Sequence, residues 1–242
     1  MASGTGLLLL SPILALVCFF VWVEDRHSPF YIAPRVGRAG RRFRMVKLRS
    51  MVVHADKSRI DSTARGDERI TRVGRVIRKF KLDELSQLWN VLIGDMSLVG
   101  PRPQVESDVQ LYTQLERRLL DVRPGITDFA SIVFADEGNI LEGAPDPDLR
   151  YHQLIRPWKS RLGLHYIASR SFFLDVRLIF VTMLNVFSRR RALTAVAVLL
   201  EKTGAAPSLI AVARRDDPLV PAPPPGADEI VRTRVPNAGS AV

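Results

Sequence analysis

Leu7 to Val23 reads LLLLSPILALVCFFVWV, 17 residues without a charge. A run of this kind has to be shielded from water, and its length is at the short end for a helix that spans a bilayer. Ser11-Pro12 interrupts it. Proline removes an N–H and clashes with the preceding turn, so a helix here is expected to kink or break. A kinked segment this short can enter and leave one leaflet instead of crossing it. Arg26, Arg35, Arg38, Arg41, Arg42 and Arg44 follow, and that bias puts the downstream domain on the cytoplasmic side. A signal peptide would need a basic stretch ahead of the run and a clean small-x-small cleavage site after it, and both are missing. A buried helix of a soluble domain is a further use of such a run. Residue physics alone does not separate a spanning anchor from a re-entrant one.

The rest of the chain is basic. It carries 35 Lys plus Arg against 25 Asp plus Glu, a formal +10, within 242 residues, enough for one sizeable core. Residues 26–81 hold 17 Lys or Arg and 4 Asp or Glu. Such a block can face nucleic acid, anionic lipid or phosphorylated small molecules. The single cysteine, Cys18, lies inside the apolar run, which excludes an internal disulfide framework and a cysteine-based zinc site. Val36-Gly37-Arg38-Ala39-Gly40-Arg41 looks like a hairpin turn, and Phe43 to Arg49 alternates as a half-buried strand presenting Arg44, or Lys47 and Arg49 in the other register. His54 to Asp67 reads as a polar loop or short helix. Arg72, Arg75 and Lys79 share a helical face, with Arg78 beside Arg75. Arginine's planar fork suits phosphate.

This basic segment feeds into Lys81-Leu82-Asp83-Glu84-Leu85. Leu82, Leu85, Leu88 or Trp89, and Leu92 recur at three to four residues, one apolar stripe of a helix. Asp83 and Glu84 sit mostly off that stripe, about 100° apart, so one can react while the other holds a cation. Asn90 lies two turns on, and Gly94 fits a helix C-cap. Met96 to Val99 reads as extended. In Gly100-Pro101-Arg102-Pro103 the two prolines fix the backbone and hold Arg102 in one place. The plainer alternative is that Asp83 and Glu84 only favour a helix start through the helix dipole.

Taken together, these stretches resemble the bacterial sugar transferase family, and within it the monotopic phosphoglycosyl transferases that start glycan assembly on polyprenyl phosphate. The matching residues are Arg35-Val36-Gly37, Lys47-Leu48-Arg49-Ser50-Met51, Thr71-Arg72-Val73-Gly74-Arg75, Leu82-Asp83-Glu84-Leu85, Gln87 to Val91, Gly94 to Pro103 and Arg123-Pro124-Gly125-Ile126-Thr127. The likeness covers about residues 5 to 187. It implies an α/β fold, mostly helical with a small β element, on a re-entrant membrane helix broken at Ser11-Pro12, with amphipathic interfacial helices. It implies transfer of a sugar phosphate from a UDP-sugar to undecaprenyl phosphate with release of UMP. Asp83 is then the nucleophile, Glu84 the Mg²⁺ ligand, and Arg78 and Arg102 the phosphate holders. Further substrate contacts are expected from Lys47, Arg49, Arg75, Asn90 and Asp175. Implied partners are the two substrates and anionic lipid headgroups, not nucleic acid, and a homodimer is left open. The implied location is the bacterial inner membrane, with the catalytic domain on its cytoplasmic face. There are departures. Met1 to Thr5 lacks the basic-aromatic-Asp stretch that usually begins the membrane helix, which a truncated or upstream start would explain. Ala33 replaces a common glutamine, Lys81 stands where Ser or Thr is frequent, and Asp128-Phe129 stands where many members have Gly-Trp.

The chain divides into three segments: an anchor at 1–25, a catalytic domain at 26–187, and a basic short helix with a Pro/Ala-rich, disordered tail at 188–242. Val105 to Val122 is expected to form one amphipathic helix. Tyr151 to Ile155, Lys159 to Arg170 and Phe172 to Phe187 read as further helices, the last one interfacial. Ser188 to Arg191 would suit anionic headgroups. His152 and His165 are too scattered for a metal site. Two other classes compete with the transferase. A catalytically degenerate membrane-associated interaction protein would release no nucleoside monophosphate. A nucleic-acid binder would lose affinity steeply with salt and has no use for Leu7 to Val23. The sugar donor is not selected.

Overall fold

The computed structural model describes residues 2–55 and 66–233. Its first element is a helix, α1 (Ala2–Asp25), which runs unbroken through Pro12. The expected break is absent for a local reason. Pro12 has no N–H to give the Leu8 carbonyl, and the Ser11 hydroxyl donates to that carbonyl instead, at 2.7 Å. Among the described residues this is the one helix long and apolar enough to cross a membrane. One side of it, Leu14, Val17, Cys18 and Val21, packs on Leu48, Val73, Ile77 and Leu82. Leu8, Leu9, Leu16, Phe19 and Phe20 stay exposed.

The last two residues of α1 fasten it to the elements next in the chain. Asp25 holds Arg49 through both terminal guanidinium nitrogens, one of them at 2.7 Å. Glu24 accepts the Arg72 N–H at 2.8 Å, at the start of α2 (Arg72–Lys79). There a carboxylate meets the positive end of a helix. Between them lies an antiparallel hairpin, β1 (Phe30–Val36) and β2 (Arg42–Leu48), with Ala33 opposite Met45. The strand expected at Phe43 to Arg49 is present one residue earlier. Met45, Lys47 and Arg49 alternate onto one face. The polar stretch His54 to Asp67 lies partly outside the described residues, at 56–65.

The apolar stripe Leu82 to Leu92 does not form one helix. A 3-10 turn, Leu82–Gln87, runs into a short α3 (Leu88–Leu92), and Gly94 closes it at a φ of 89°. Next, β3 (Ser97–Val99) pairs in parallel with β4 (Gly125–Thr127). Their crossing requires two glycines face to face: a Cβ on Gly125 would stand 2.1 Å from the Gly100 nitrogen. That contact fixes the Gly100 to Pro103 loop against the Arg123 to Thr127 segment. The helix expected over Val105 to Val122 is also divided, into α4 (Glu106–Gln110) and a 3-10 turn, Glu116–Asp121. Thr113 and Glu116 form a reciprocal cap, with Glu116 N–H on Thr113 Oγ1 at 3.1 Å and Thr113 N–H on Glu116 Oε2 at 3.0 Å. A capping box of this kind begins a new helical segment.

The remaining helices are α5 (Phe129–Val133), α6 (Glu137–Leu141), α7 (Pro147–Leu154), α8 (Arg156–Ser169), α9 (Phe172–Phe187), α10 (Arg189–Lys202) and α11 (Pro207–Arg214). They share one core around Phe129, Ile132, Ile155, Leu162, Leu178, Val196 and Leu200. That core includes Leu209 and Ala213 of α11, so the Pro/Ala-rich tail expected to be disordered after the basic short helix is ordered up to residue 233. Pro-rich chain is stiff and loses little entropy on docking, and its carbonyls are used. Thr113 Oγ1 donates to Pro225 O at 2.5 Å and Gln153 Nε2 to Val231 O at 2.8 Å, while Ala222 N–H reaches Gln153 O. Residues 234–242 of that tail lie outside the described residues. Overall the molecule is mostly helical with two small sheets.

Candidate active site

A cleft of about 920 Å³ opens between the β1–β2 hairpin, the Leu82–Gln87 turn, the Pro101 to Pro103 loop and helices α4 to α8. Lys47, Arg78, Lys81, Asp83, Glu84 and Arg102 all line it. The two acids reach it because the chain turns sharply after α2. Lys81 sits in the left-handed region at a φ of 54°, a conformation that costs a non-glycine residue roughly 1–3 kcal/mol. The turn then winds as a 3-10 helix, which swings Asp83 and Glu84 toward β2 and the proline-fixed loop. Ser86, buried in the same turn, donates to Val46 O at 3.1 Å and ties the turn to the hairpin.

The electrostatics are lopsided. Arg102 Nη1 donates to Glu84 Oε1 at 2.8 Å. Although burial opposes it, the charges of Arg102, Lys81 and Lys47 hold the Glu84 carboxyl below its ordinary value. Asp83 goes the other way. Burial raises its pKa first and the neighbouring Glu84 charge raises it further, against Lys47, Arg102 and Arg78. The two adjacent carboxyls are thus driven apart, which is the arrangement by which like groups take different roles. Lys47 is pushed down to about 8, by burial first and then by Arg102, with Asp83 and Glu84 pulling it back. Burial also lowers Lys81.

Glu84 and Asp83 form a donor set of two carboxylates. Among the described residues no group of three or more His, Cys, Asp or Glu could hold a metal. Magnesium does not require one, since it is usually bound through one or two carboxylates plus substrate phosphates and water. A pair with one carboxyl kept ionised beside an open cleft fits that ion.

Several sequence candidates are paired within the fold or lie outside the cleft. Arg49 is among the cleft's lining residues, but it is buried and paired with Asp25 and with Ser28 O at 2.7 Å, so its guanidinium anchors α1 to β2. Asn90 is fully buried and hydrogen-bonds the hairpin: Oδ1 accepts Val46 N–H at 2.9 Å and Nδ2 donates to Arg44 O at 2.8 Å. Arg75 is exposed on α2 and outside the cleft lining. Asp175 is also outside that lining, accepting the Tyr166 hydroxyl at 2.7 Å. Arg78 stands exposed at the cleft. Arg189, expected to meet headgroups, reaches back to Asp136 at 2.6 Å, while Arg190 and Arg191 are exposed.

Other residues of the cleft carried little local signal. Arg156, on α8, forms a two-point ion pair with buried Glu116, at 2.7 and 3.2 Å, and Ser160 Oγ adds a third bond at 2.7 Å. Only the Thr113-x-x-Glu116 capping signature hinted at it. Asp128 caps α5 by accepting the Ser131 N–H at 2.7 Å and also lines the cleft.

Comparison with known proteins identifies the family. The model of the bacterial sugar transferase family matches residues 1–189. The chain is 38% identical over 198 residues to the undecaprenyl-phosphate glucose phosphotransferase of Komagataeibacter xylinus, covering 78% of this chain and 35% of that protein. It is 33% identical over 193 residues to the UDP-N-acetylgalactosamine-undecaprenyl-phosphate N-acetylgalactosaminephosphotransferase of Aeromonas hydrophila, covering 78% and 42%. It is 39% identical over 142 residues to the exopolysaccharide production protein ExoY of Rhizobium meliloti, covering 52% and 63%. The chain therefore spans about a third to under two thirds of the length of these relatives.

Proposed function

The chain belongs to the bacterial sugar transferase family, and on that premise we propose that it moves a sugar-1-phosphate from a UDP-sugar to undecaprenyl phosphate. The observation that carries the proposal is the Asp83–Glu84 pair, with its split electrostatics, on a cleft whose near wall is Lys47, Lys81 and Arg102. Two of the relatives named above, those of Komagataeibacter xylinus and Aeromonas hydrophila, act on undecaprenyl phosphate by their names.

In the proposed reaction an Asp83 carboxylate oxygen attacks the sugar-bearing phosphorus of the donor. The bond from that phosphorus to the bridging oxygen breaks, and UMP leaves with the electron pair. A phosphate oxygen of undecaprenyl phosphate then attacks the same phosphorus and releases the Asp83 carboxylate. One difficult displacement becomes two easier ones. Asp83 has to be ionised to attack, and Lys47, Arg78 and Arg102 favour that form. Arg102, fixed between two prolines and by Glu84, would hold phosphate oxygens in one orientation. Lys47 adds a point charge from the hairpin. Mg²⁺ would be held by Glu84, with Asp83 beside it, and when bound would neutralise the diphosphate.

The lipid substrate implies a membrane surface. Helix α1 would be the anchor, re-entrant or spanning. Helix α9 presents Phe172, Phe173, Phe180, Met183 and Phe187 to the outside while burying Leu174, Leu178 and Val181, and it would lie in the interface. Exposed Arg170, Arg177, Arg190 and Arg191 would meet anionic headgroups on the cytoplasmic face. The test is a panel of UDP-sugars with undecaprenyl phosphate and Mg²⁺, reading UMP release. The Asp83→Asn variant should release none and retain no phosphosugar adduct. Full turnover in that variant removes Asp83 as the nucleophile, and no release from any donor in the wild type removes the transferase function.

A further inference from the structure

Beside the cationic wall the cleft changes character. Asp128, Ser131, Glu137, Tyr151 and Lys159 line it there. This second wall is next to the first: the Glu137 charge bears on Arg102, and Arg102 and Lys159 both bear on Asp128. Asp128 is 1% exposed and holds the Ser131 N–H through Oδ1. Burial raises its pKa, partly offset by these contacts. Ser131 Oγ is buried beside that carboxyl, which is its near partner, but the two do not meet in good hydrogen-bond geometry. A buried hydroxyl in that condition gains from any ligand group that can partner it. Lys159 is fixed by an ion pair with Glu137 and stands 5.1 Å from the centre of the Tyr151 ring. Tyr151 itself is buried, with Gln104 as its side-chain partner.

This set of groups suits polyhydroxylated carbon better than phosphate. Carboxylates and a serine hydroxyl accept or exchange hydrogen bonds with ring hydroxyls, and an aromatic ring offers an apolar face. Chemistry fixes where the ring must lie. In a nucleoside diphosphate sugar the ring is one oxygen away from the reacting phosphorus, and the nucleoside is a whole phosphate further off. The wall that adjoins Arg102 is therefore the one within reach of the ring. We propose, resting on the transferase function above, that Asp128 and Ser131, supported by Glu137, Tyr151 and Lys159, form the subsite that binds the glycosyl ring of the donor and sets its identity.

Calorimetry on the full chain in nanodiscs with Mg²⁺, with Asp83→Asn present throughout so that the donor is bound and not cleaved, tests this without turnover. UDP-glucose, UDP-galactose, UDP-N-acetylgalactosamine and UMP are titrated into the Asp83→Asn parent and into the same chain carrying Asp128→Asn or Ser131→Ala. Asparagine is itself a good N-cap, so the first variant should fold, and the second leaves the cap intact. The expected result is a loss of about tenfold in affinity for the preferred UDP-sugar in Asp128→Asn and of roughly 3- to 10-fold in Ser131→Ala. UMP, which has no sugar, should change less than about twofold in both. Equal weakening of UMP and donor, no change in either, or no binding of any UDP-sugar to the parent overturns the subsite. UMP release with undecaprenyl phosphate is scored separately, with Asp83 intact. Release that is indifferent to both variants keeps the transferase and removes the subsite, and selective binding without release does the reverse.

Discussion

Lys47 faces the Asp83–Glu84 pair from β2, with a pKa of about 8 set mainly by burial and by Arg102. If its charge helps bind the donor phosphates, activity has an alkaline limit that the sequence does not announce. About nine-tenths of Lys47 is charged at pH 7 and about one-tenth at pH 9. At donor concentrations well below KM, UMP release should then fall about tenfold between those two pH values. The sign is fixed: raising pH removes a cation, so the limb falls. At saturating donor the limb should move to higher pH, because bound phosphate favours the charged lysine. Lys47→Arg keeps its charge throughout this range, so its profile should stay flat to pH 9 whatever its absolute rate. Lys47→Gln should run at the wild type's high-pH level at every pH. The assay is initial UMP release from pH 6 to 10 at fixed Mg²⁺. A wild-type profile flat to pH 9.5, or a Lys47→Arg profile that falls with the same midpoint, refutes the assignment. On the acid side the raised pKa of Asp83 should cost activity above the usual carboxylate range.

Three further outcomes are expected from the packing. Asn90→Ala leaves Val46 N–H and Arg44 C=O without partners at a buried site, so unfolding by denaturant should show a loss of roughly 2–4 kcal/mol. Its kcat/KM for the donor should stay within about threefold, and a selective rise in KM at unchanged stability would restore Asn90 to the substrate contacts. Gly125→Ala places a Cβ against the Gly100 backbone and should lower stability by more than about 3 kcal/mol or prevent folding; a melting temperature equal to wild type would show that the β3–β4 crossing is not held this closely. Truncation after Lys202 removes the buried Leu209 and Ala213 and the strap on Thr113 and Gln153. Thermal unfolding should report a loss of at least about 2–3 kcal/mol, whereas a truly disordered tail would leave it unchanged.

The acid pair is legible from a few residues. Lys81 to Leu85 and Gly100 to Pro103 are local patterns, and the structure brings Asp83, Glu84 and Arg102 onto one cleft. The hairpin turn at Gly37 to Arg41 and the closing Gly94 are also local, since backbone preference settles them. The failures share a cause. Periodicity joins Leu82 to Leu92 and Val105 to Val122 into single helices, but contacts with β2 and the Thr113–Glu116 cap divide them. Composition makes the Pro/Ala-rich tail look disordered because its partners, Thr113 and Gln153, lie far back along the chain. Arg49 reads as a substrate contact and Arg189 as a headgroup contact because charge is visible in a sequence while the partner is not. In the fold each pairs with an Asp, Asp25 and Asp136.

By itself the sequence determined the apolar N-terminal helix, the basic character of the domain, and the presence of two adjacent acids beside a proline-fixed arginine. Those depend on residue type and short spacing, which survive without the fold. Tertiary structure alone decided which charges are spent on structure and which face open space. It decided that Asp83 and Glu84 are pushed in opposite directions, and that Asp128 and Ser131 line the same cleft as Arg102. The physical reason is that desolvation and Coulomb forces act through space between groups far apart in the chain, and no local pattern encodes those distances.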